Sequence, residues 1–265
     1  MADRVSTFEQ FVKFGTDAYG IERLLRLLQS LTTLLLFTPT LLTSFLPLSS
    51  PLTTLTPSTL THLRTRLATL RQPLRFFRFL DSFSAAWSVL SSLQQSSHHH
   101  DHHHKNKRDW PDRLQQWLDF GSKAFTGMYL LLESLVFIEV VLDAPGLGVW
   151  ASREVVVGLV VDGQRFWFAG LVCGVLGGVV KLMRDGLEEG KREKGGKRGK
   201  GKVVRRLVAD VMDLGLPGSV VGWVPLVPGT VGLLMLGSTV LTGLEVWERC
   251  GREVVAAKKA AREGR

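Results

Sequence analysis

Residues 214–244 read LGLPGSVVGWVPLVPGTVGLLMLGSTVLTGL, an uncharged run of 31 residues that decides the fold class of the chain. A helix that crosses the hydrocarbon core of a bilayer needs about 20 apolar residues. Pro217, Pro225 and Pro228 interrupt the first half of the run and favour a loop or a re-entrant segment there. Residues 229–244 therefore predict a membrane-spanning helix, because a soluble core helix of this composition would have to be buried on every side.

A second apolar segment lies upstream, where residues 166–180 carry no charge and Lys181 ends the run. Its 15 residues are short for a span unless helix continues upstream through residues 155–161, since residues 153–165 otherwise form a mixed connector. Small residues four apart share one helix face and allow helices to approach closely in lipid. The segment has three such residues, which we predict to be helix-packing positions: Gly170, Gly174 and Gly178.

A third apolar helix is predicted within residues 110–142, and it contains Glu133 and Glu139. Two carboxylates could form an acid–base couple, but no His, Lys or Arg neighbours them in the sequence to tune a pKa. A helix that faces a bundle or an interface is therefore favoured. Inside a bilayer, the same carboxylates would instead mark a solute pathway.

The chain has a formal net charge of +9 although its mean hydropathy is positive, at +0.13, so charged and apolar residues occupy different segments. Residues 181–206 hold eleven basic and four acidic residues, a net charge of +7, and predict a solvated loop. A nucleic-acid patch and a nuclear signal are alternatives, but no aromatic residues interleave with the cations. The apolar flanks favour a loop beside the membrane, on its cytosolic side.

Residues 1–95 predict amphipathic helices around a Ser/Thr/Pro-rich loop at residues 38–61, although the uncharged stretch over residues 27–61 is also long enough to span a bilayer. The most amphipathic part is residues 62–93. Its predicted membrane-binding residues form an apolar face, Leu63, Leu67, Leu70, Leu74 and Phe77, and an adjoining basic face, Arg64, Arg71, Arg75 and Arg78. This pattern suits a helix in the headgroup layer of anionic lipid. An ordinary packed helix with solvated arginines is the alternative, and Pro73 predicts a kink.

The sequence contains no constellation typical of an enzyme, such as a nucleophile beside a base or a cofactor loop, so we expect neither catalysis nor a cofactor. Residues 96–109 include the run HHHDHHHK, which could bind a transition metal only on a scaffold. A disordered loop is the favoured interpretation of this run. Two cysteines exclude a disulfide-rich secreted scaffold and indicate a reducing compartment.

Four segments together resemble the peroxisomal biogenesis factor 11 family, and within it the divergent fungal members. The segments are TDAYGIERLLRLLQSL (residues 16–31), RFFRFLDSFSAAWSVL (75–90), MYLLLESLVFI (128–138) and RRLVADVMDLGLPGSVVGWVPLVPGTVGLLMLGSTVLTGLEVW (205–247). They are similar, in order, to the family's N-terminal leucine-rich segment, its basic–aromatic helix, the apolar helix that follows, and its C-terminal apolar unit. Ile21 stands where the family usually has arginine, and the Ser/Thr/Pro stretch and the His run look like insertions.

The resemblance implies an all-α integral membrane protein with amphipathic interfacial helices and a C-terminal hydrophobic span. We expect a single domain over residues 1–265, with apolar helices at residues 110–180 and the hydrophobic unit at residues 207–247. The implied function is elongation, proliferation and fission of peroxisomes at the peroxisomal membrane, by insertion of amphipathic helices into the cytosolic leaflet. The implied partners are anionic membrane lipids, further copies of the chain and the fission machinery, with no nucleic acid.

Two alternatives from other classes remain open: a small-solute pore that uses Glu133 and Glu139, and a soluble helical nucleic-acid-binding protein that uses residues 191–202. Topology is open as well. A cytosolic N-terminal region and a cytosolic basic loop require an even number of crossings before Lys181, such as residues 129–142 with residues 155–180. With only two spans in the chain, the first at residues 166–180, the basic loop would lie in the lumen.

Overall fold

The computed structural model describes residues 6–38, 56–98, 110–141, 152–189 and 197–263. In these ranges the chain forms eight α-helices and no strand: α1 Thr7–Thr16, α2 Ala18–Phe37, α3 Pro57–Arg71, α4 Arg78–His98, α5 Trp110–Val141, α6 Arg153–Glu189, α7 Lys197–Val221 and α8 Pro228–Glu263. Two stretches within them, Arg153–Asp185 and Pro228–Ala261, are long and apolar enough to cross a membrane. The predicted all-α fold of a membrane protein is thus confirmed.

Contacts between the helices group the chain into two compact units, where the sequence predicted one domain. The first unit, Met1–Leu74 with Val227–Arg265, contains α1, α2, α3 and α8. The second, Arg75–Leu226, contains α4, α5, α6 and α7. In the second unit α5 and α6 pack antiparallel. Gly121 of α5 lies beside Cys173 of α6, whereas Gly163, which comes earlier in α6, lies beside Leu132, which comes later in α5.

The predicted N-terminal helix pair is confirmed as α1 and α2. Asp17 separates them, because its backbone is extended and its carboxylate accepts hydrogen bonds from the backbone N–H groups of Tyr19, at 2.8 Å, and Gly20, at 3.2 Å. Such an N-cap satisfies donors that the first turn of a helix leaves free. Helix α2 ends at Phe37, as predicted. The central part of the Ser/Thr/Pro-rich loop and nearly all of the His run lie outside the described residues.

The interruption that Pro73 predicted within the amphipathic stretch of residues 62–93 is confirmed, and it is a full break between two helices. Helix α3 ends at Arg71, a 3₁₀ turn follows at Pro73–Arg75, and α4 begins at Arg78. Pro73 causes the break, because it lacks a backbone N–H and disfavours helical geometry in the residue before it.

The structure decides one segment that the sequence left open and corrects one that was predicted as a loop. The connector at residues 153–165 is part of α6, which runs unbroken from Arg153 to Glu189. The described parts of the basic loop are helical too, because α6 enters the segment from one side and α7 begins at Lys197 on the other. Charge does not end a helix, since Lys, Arg and Glu are all good helix formers.

Three prolines were predicted to interrupt the first half of the uncharged run at residues 214–244. The structure has one break there. Pro217 lies inside α7 and is fully buried, so the predicted interruption there is wrong. The chain turns at Gly222, whose φ of 83° is accessible to glycine without steric cost. Pro228 begins α8, where its missing N–H is not needed. Helix α8 then continues through the charged C-terminal segment to Glu263.

Candidate membrane-facing surfaces

The first unit has a polar interior. On α2, Glu22, Arg26 and Ser30 are all buried and lie four residues apart, so they share one helix face. Arg26 Nη2 donates a hydrogen bond of 3.2 Å to Oγ of Ser238, a buried residue of α8. Thr239, beside it on α8, is buried as well. Polar groups thus form part of the contact between α2 and the candidate spanning helix α8.

Helix α3 adds an ion pair to this interior. Arg71 Nη2 lies 2.9 Å from Glu22 Oε1, and Arg71 Nη1 donates a hydrogen bond of 2.6 Å to Gln29 Oε1. Both charged side chains are largely buried. The sequence placed Arg71 on a lipid-facing surface, whereas here its guanidinium is held within the unit. We call the set Glu22, Arg26, Gln29, Ser30, Arg71 and Ser238 the polar seam.

The outer surface of the same unit is apolar. On α2 and α8 large side chains are 44–50% exposed: Leu28, Phe37, Leu233, Val240 and Leu244. Only 28% of the apolar 18-residue stretch of α8 is buried. Polar residues inside and apolar residues outside are the arrangement expected of helices in lipid, where charged groups turn towards the bundle.

At the end of α8 the contacts become charged and exposed. Arg249 Nη2 lies 2.8 Å from Asp17 Oδ2, and Lys258 Nζ lies 2.6 Å from Glu9 Oε2. Phe14 packs edge-on against Trp247, with ring centroids 5.7 Å apart. Helix α1 is therefore paired with the charged end of α8, and this end of the unit suits an aqueous environment.

The predicted apolar face of residues 63–77 is divided by the break at Pro73. Leu67 is buried, while Leu63 and Leu70 are exposed on α3. Leu74 is half-buried in the 3₁₀ turn, and Phe77 is exposed after it. These five side chains therefore do not form one continuous surface.

The predicted basic face is divided as well. Arg64 lies with its guanidinium 5.8 Å from the centre of the Phe37 ring. Arg78 begins α4 and is half-buried. Arg75, like Arg71, is held by a carboxylate, and it belongs to the second unit.

Arg75 binds two groups of α5. Its Nη2 lies 3.0 Å from Glu133 Oε2 and donates a hydrogen bond of 2.7 Å to the Tyr129 hydroxyl. The Tyr129 ring in turn stacks on Trp167 of α6, with centroids 5.2 Å apart. The sequence offered no partner for Glu133, because the arginine that pairs with it lies 58 residues earlier. Only the antiparallel packing of the unit brings them together.

The glycine strip of α6 lies in helix contacts. A Cβ on Gly170 would come within 3.0 Å of Thr126 Oγ1 of α5, and one on Gly174 within 3.3 Å of Ser122 Oγ. A Cβ on Gly178 would lie 3.1 Å from Leu207 of α7. A methyl group at these positions would require its neighbours to shift by a few tenths of an ångström, and a larger side chain would press against the neighbouring helices.

Away from this strip, α6 is exposed. Only 6% of its apolar 18-residue stretch is buried, although the mean hydropathy of that stretch is 1.9. Val155, Val157, Val160 and Leu176 are among its exposed side chains. Within the part of the chain that the structure describes, this apolar surface is not covered by protein.

Helix α4 also has an apolar outer face. Leu80 and Trp87 are 55% and 68% exposed, and their interval of seven residues places them on one side of the helix, while Phe77, 68% exposed, lies in the turn just before it. The opposite side packs on α5, where a Cβ on Gly127 would come within 2.8 Å of the Phe83 ring. The predicted membrane-binding face ended at Phe77 and did not include Leu80 or Trp87.

No group of three or more His, Cys, Asp or Glu side chains that could hold a metal occurs among the described residues. The predicted metal alternative concerned the His run, most of which lies outside them.

Comparison with known proteins gives one match. The family model of peroxisomal biogenesis factor 11 matches residues 8–247, which include parts of all eight helices. No curated protein and no solved structure matches the chain. Because the match covers most of the chain, the resemblance inferred from four separate segments is confirmed. The chain belongs to the peroxisomal biogenesis factor 11 family and is a peroxisome biogenesis factor.

Proposed function

We propose that this protein elongates the peroxisomal membrane and promotes proliferation and fission by inserting the outer face of α4 into the cytosolic leaflet. The observation that carries the proposal is the exposure of Leu80 and Trp87 on one side of that helix, with Phe77 exposed in the turn just before it. Full burial of one such side chain stabilises the inserted state by about 2 kcal/mol. A helix lying at headgroup depth widens one leaflet relative to the other, and curvature relieves the mismatch.

The two apolar helices supply the anchor for this insertion. Helices α6 and α8 are long enough to cross the bilayer, and a spanning helix holds a protein far more firmly than an interfacial helix does. Arg64 and Arg78 stay in the proposal as contacts to anionic headgroups. Self-association and recruitment of the fission machinery complete it, as the family resemblance implies.

Insertion requires α4 to leave α5. Helix α4 packs on α5, and α5 lies antiparallel to the candidate spanning helix α6. While α4 stays packed in this way, it cannot lie flat in the leaflet. The α4–α5 contact includes the Arg75–Glu133 ion pair and the Phe83 ring over Gly127. We therefore infer that α4 swings out of the helical unit when it enters the membrane.

The test is tubulation of liposomes that contain anionic phospholipid by the reconstituted full-length chain. Replacing Phe77, Leu80 and Trp87 together with Ser should abolish tubulation, while the protein stays resistant to carbonate extraction. Trp110→Ser is the matched control, since Trp110 is 65% exposed but lies on α5. Tubulation that survives the triple replacement would show that α4 is not the active element.

A second arm tests the release of α4. In a variant with Cys173 and Cys250 replaced by Ser, a disulfide between Phe83→Cys and Gly127→Cys should lock α4 on α5. The locked protein should not tubulate liposomes, and reduction of the disulfide should restore tubulation. Equal activity in the locked and reduced states would mean that α4 acts while packed on α5.

We place the N-terminal region and residues 181–206 in the cytosol, so that α5 and α6 both cross the membrane. Protease added to intact peroxisomes should then remove a tag placed at the N-terminus and a tag inserted beside Gly196. Protection of the Gly196 tag alone would instead favour a lumenal basic segment.

The pore alternative rested on Glu133 and Glu139. The ion pair with Arg75 offsets the charge of the first of these carboxylates, so the geometry does not favour a solute pathway there. Flux of small solutes through reconstituted vesicles of unchanged shape would support the pore over the proposed function.

A further inference from the structure

Helix α2 lies antiparallel beside the uncharged run of α8, residues 229–244, from one end of the run to the other. A Cβ on Gly229, at the start of α8, would come within 2.7 Å of Thr38, the residue that follows α2. Beyond the other end of the run, the Arg249 guanidinium lies 5.0 Å from the centre of the Tyr19 ring, in the first turn of α2. The hydrogen bond that joins the two helices lies between these contacts.

The length of α2 matches the thickness of a bilayer core. Its 20 residues extend about 30 Å, and the hydrocarbon core of a typical bilayer is about 30 Å thick. Because α2 accompanies the uncharged run of α8 over this whole length, a bilayer that contains the run also contains α2.

The composition of α2 does not mark it as a span, because it contains Glu22, Arg23 and Arg26. The structure turns these charges away from the outer surface. The Glu22 and Arg23 side chains are 3% and 18% exposed and form an ion pair of 3.6 Å, and Arg26 is buried. All three lie in the half of α2 nearest to the charged end of α8, where long side chains can extend towards water.

The uncovered side of α2 is aliphatic. Its half-buried or exposed residues recur at intervals of three and four positions and share one helix face: Ile21, Leu24, Leu25, Leu28, Leu31 and Leu35. An aliphatic face of this length, beside a helix that crosses the bilayer, fits lipid chains better than water.

We propose that this face of α2 contacts the hydrocarbon chains of the bilayer, so that α2 crosses the membrane beside α8 as an antiparallel pair. The sequence left open a span within residues 27–61, whereas this crossing ends at Phe37 and includes the charged turns before Leu27. The inference rests on the proposed function only in that α8 crosses the bilayer. It does not depend on the insertion of α4.

The crossing places α1 and the charged end of α8 on the same side of the membrane. Helix α3 then brings the chain back along α2, because Arg64 lies beside Phe37 and Arg71 lies beside Glu22. With residues 181–206 in the cytosol, the chain must cross once more before α8 begins.

Helix α7 makes this additional crossing. Leu207 lies 3.1 Å from the position of a Cβ on Gly178, and a Cβ on Gly218 would come within 3.4 Å of the Phe168 ring. Helix α7 is therefore antiparallel to α6 along the uncharged segment at residues 166–180.

Spin labels test whether the face of α2 lies in hydrocarbon. Single cysteines replace Leu28, Leu233, Val240 or Val255, which are 42–50% exposed, in the variant with both native cysteines replaced by Ser. Each labelled full-length protein is reconstituted in the liposomes of the tubulation test. Oxygen concentrates in hydrocarbon and a nickel chelate stays in water, so the ratio of label collisions with oxygen to those with the chelate rises with depth.

Leu28 lies between the α2 residues that contact Gly232 and Ser238, so it is level with the middle of the uncharged run of α8. Its collision ratio should equal the ratios at the two labelled positions of that run. The ratio at Val255, in the charged end of α8, should be lower than all three.

A ratio at Leu28 as low as that at Val255, with high ratios at Leu233 and Val240, overturns the inference and leaves the anchor of the proposed function intact. Low ratios at all four positions overturn both. Few collisions with either reagent at Leu28 would show that protein covers the face, which also overturns the inference. The α4 triple variant should lose tubulation and keep the high ratio at Leu28.

Protease protection checks the crossing in the protein with its native cysteines. In intact peroxisomes, tags at both termini should be removed, and a tag inserted within residues 39–55 should stay protected until the membrane is permeabilised. Removal of the internal tag from intact peroxisomes would place both ends of α2 in the cytosol and overturn the crossing. Protection of the C-terminal tag would separate α1 from the end of α8 and overturn it as well.

Discussion

The two candidate spanning helices differ in the polar groups at their contacts. Helix α8 contacts α2 through hydrogen-bonding side chains, including Ser238 against Arg26, and a nearby ion pair joins α2 to α3. Helix α6 contacts α5 and α7 through glycines, whose lack of a side chain lets the helices approach. Since lipid provides no hydrophobic force between helices, polar contacts and close packing are the two means available. The first unit combines both at the α2–α8 contact, since a Cβ on Gly232 of α8 would come within 3.2 Å of Leu34 and Thr33 of α2, whereas α6 depends mainly on close packing.

Different substitutions are therefore expected to disrupt the two kinds of contact. A polar contact fails when one partner is removed, because the other is left buried without compensation. A glycine contact fails when a large side chain is added, because the backbones can no longer approach. Three substitutions test the comparison.

The largest effect is expected in the polar seam. Glu22→Ala leaves Arg71 buried opposite no carboxylate and should lower the free energy of unfolding by about 3 kcal/mol or more. Thermal unfolding of the detergent-solubilised protein measures it. The double variant Glu22→Gln with Arg71→Met should lose less than Glu22→Ala, because both charges of this pair are removed together, while Arg23 and Arg26 are the same in both variants. A larger loss in the double variant would show that the charges themselves hold the unit together.

An intermediate effect is expected in the glycine strip. Gly170→Leu should cost about 2 kcal/mol by overpacking against Thr126 and the Ser122 carbonyl. Gly158→Ala on the same helix is the matched control, since a Cβ there meets no atom within 4 Å. That control should leave stability unchanged or raise it, because alanine favours helix over glycine. Equal losses in both variants would contradict close packing at Gly170.

The smallest effect is expected where α8 meets α2. Ser238→Ala removes the hydroxyl that accepts from Arg26 and should cost about 1 kcal/mol. Ser219→Ala on α7 is the reference, because its hydroxyl bonds only to the carbonyl of Leu216 among the described residues. Equal losses of stability in the two variants would show that the hydrogen bond between Arg26 and Ser238 does not stabilise the polar seam.

The helices could be predicted from the sequence better than the contacts and surfaces that they form. The existence of the helices and the end of α2 at Phe37 followed from periodicity and composition. The kink at Pro73 was foreseen, but the predicted membrane-binding face ended at Phe77 and did not include Leu80 or Trp87. The continuity of α6 was open in the sequence, because an uncharged segment defines a span and not the length of a helix.

The place of α2 beside α8 could not be predicted from the sequence. Glu22, Arg23 and Arg26 make the composition of α2 too polar for a span. Their inward orientation depends on contacts with Arg71 and Ser238, which lie 49 and 212 positions from their partners, and no spacing rule relates such residues.

By itself, the sequence determined that the chain is helical, that parts of it enter a membrane and that it belongs to its family, since all three depend on local composition and on the order of segments. The tertiary structure alone decided which polar groups pair. Arg71 with Glu22 and Arg75 with Glu133 join residues 49 and 58 positions apart. A charge in an amphipathic pattern has the same local sequence whether it faces lipid headgroups or a buried carboxylate. Only the packing of a second helix against it determines which of the two it meets.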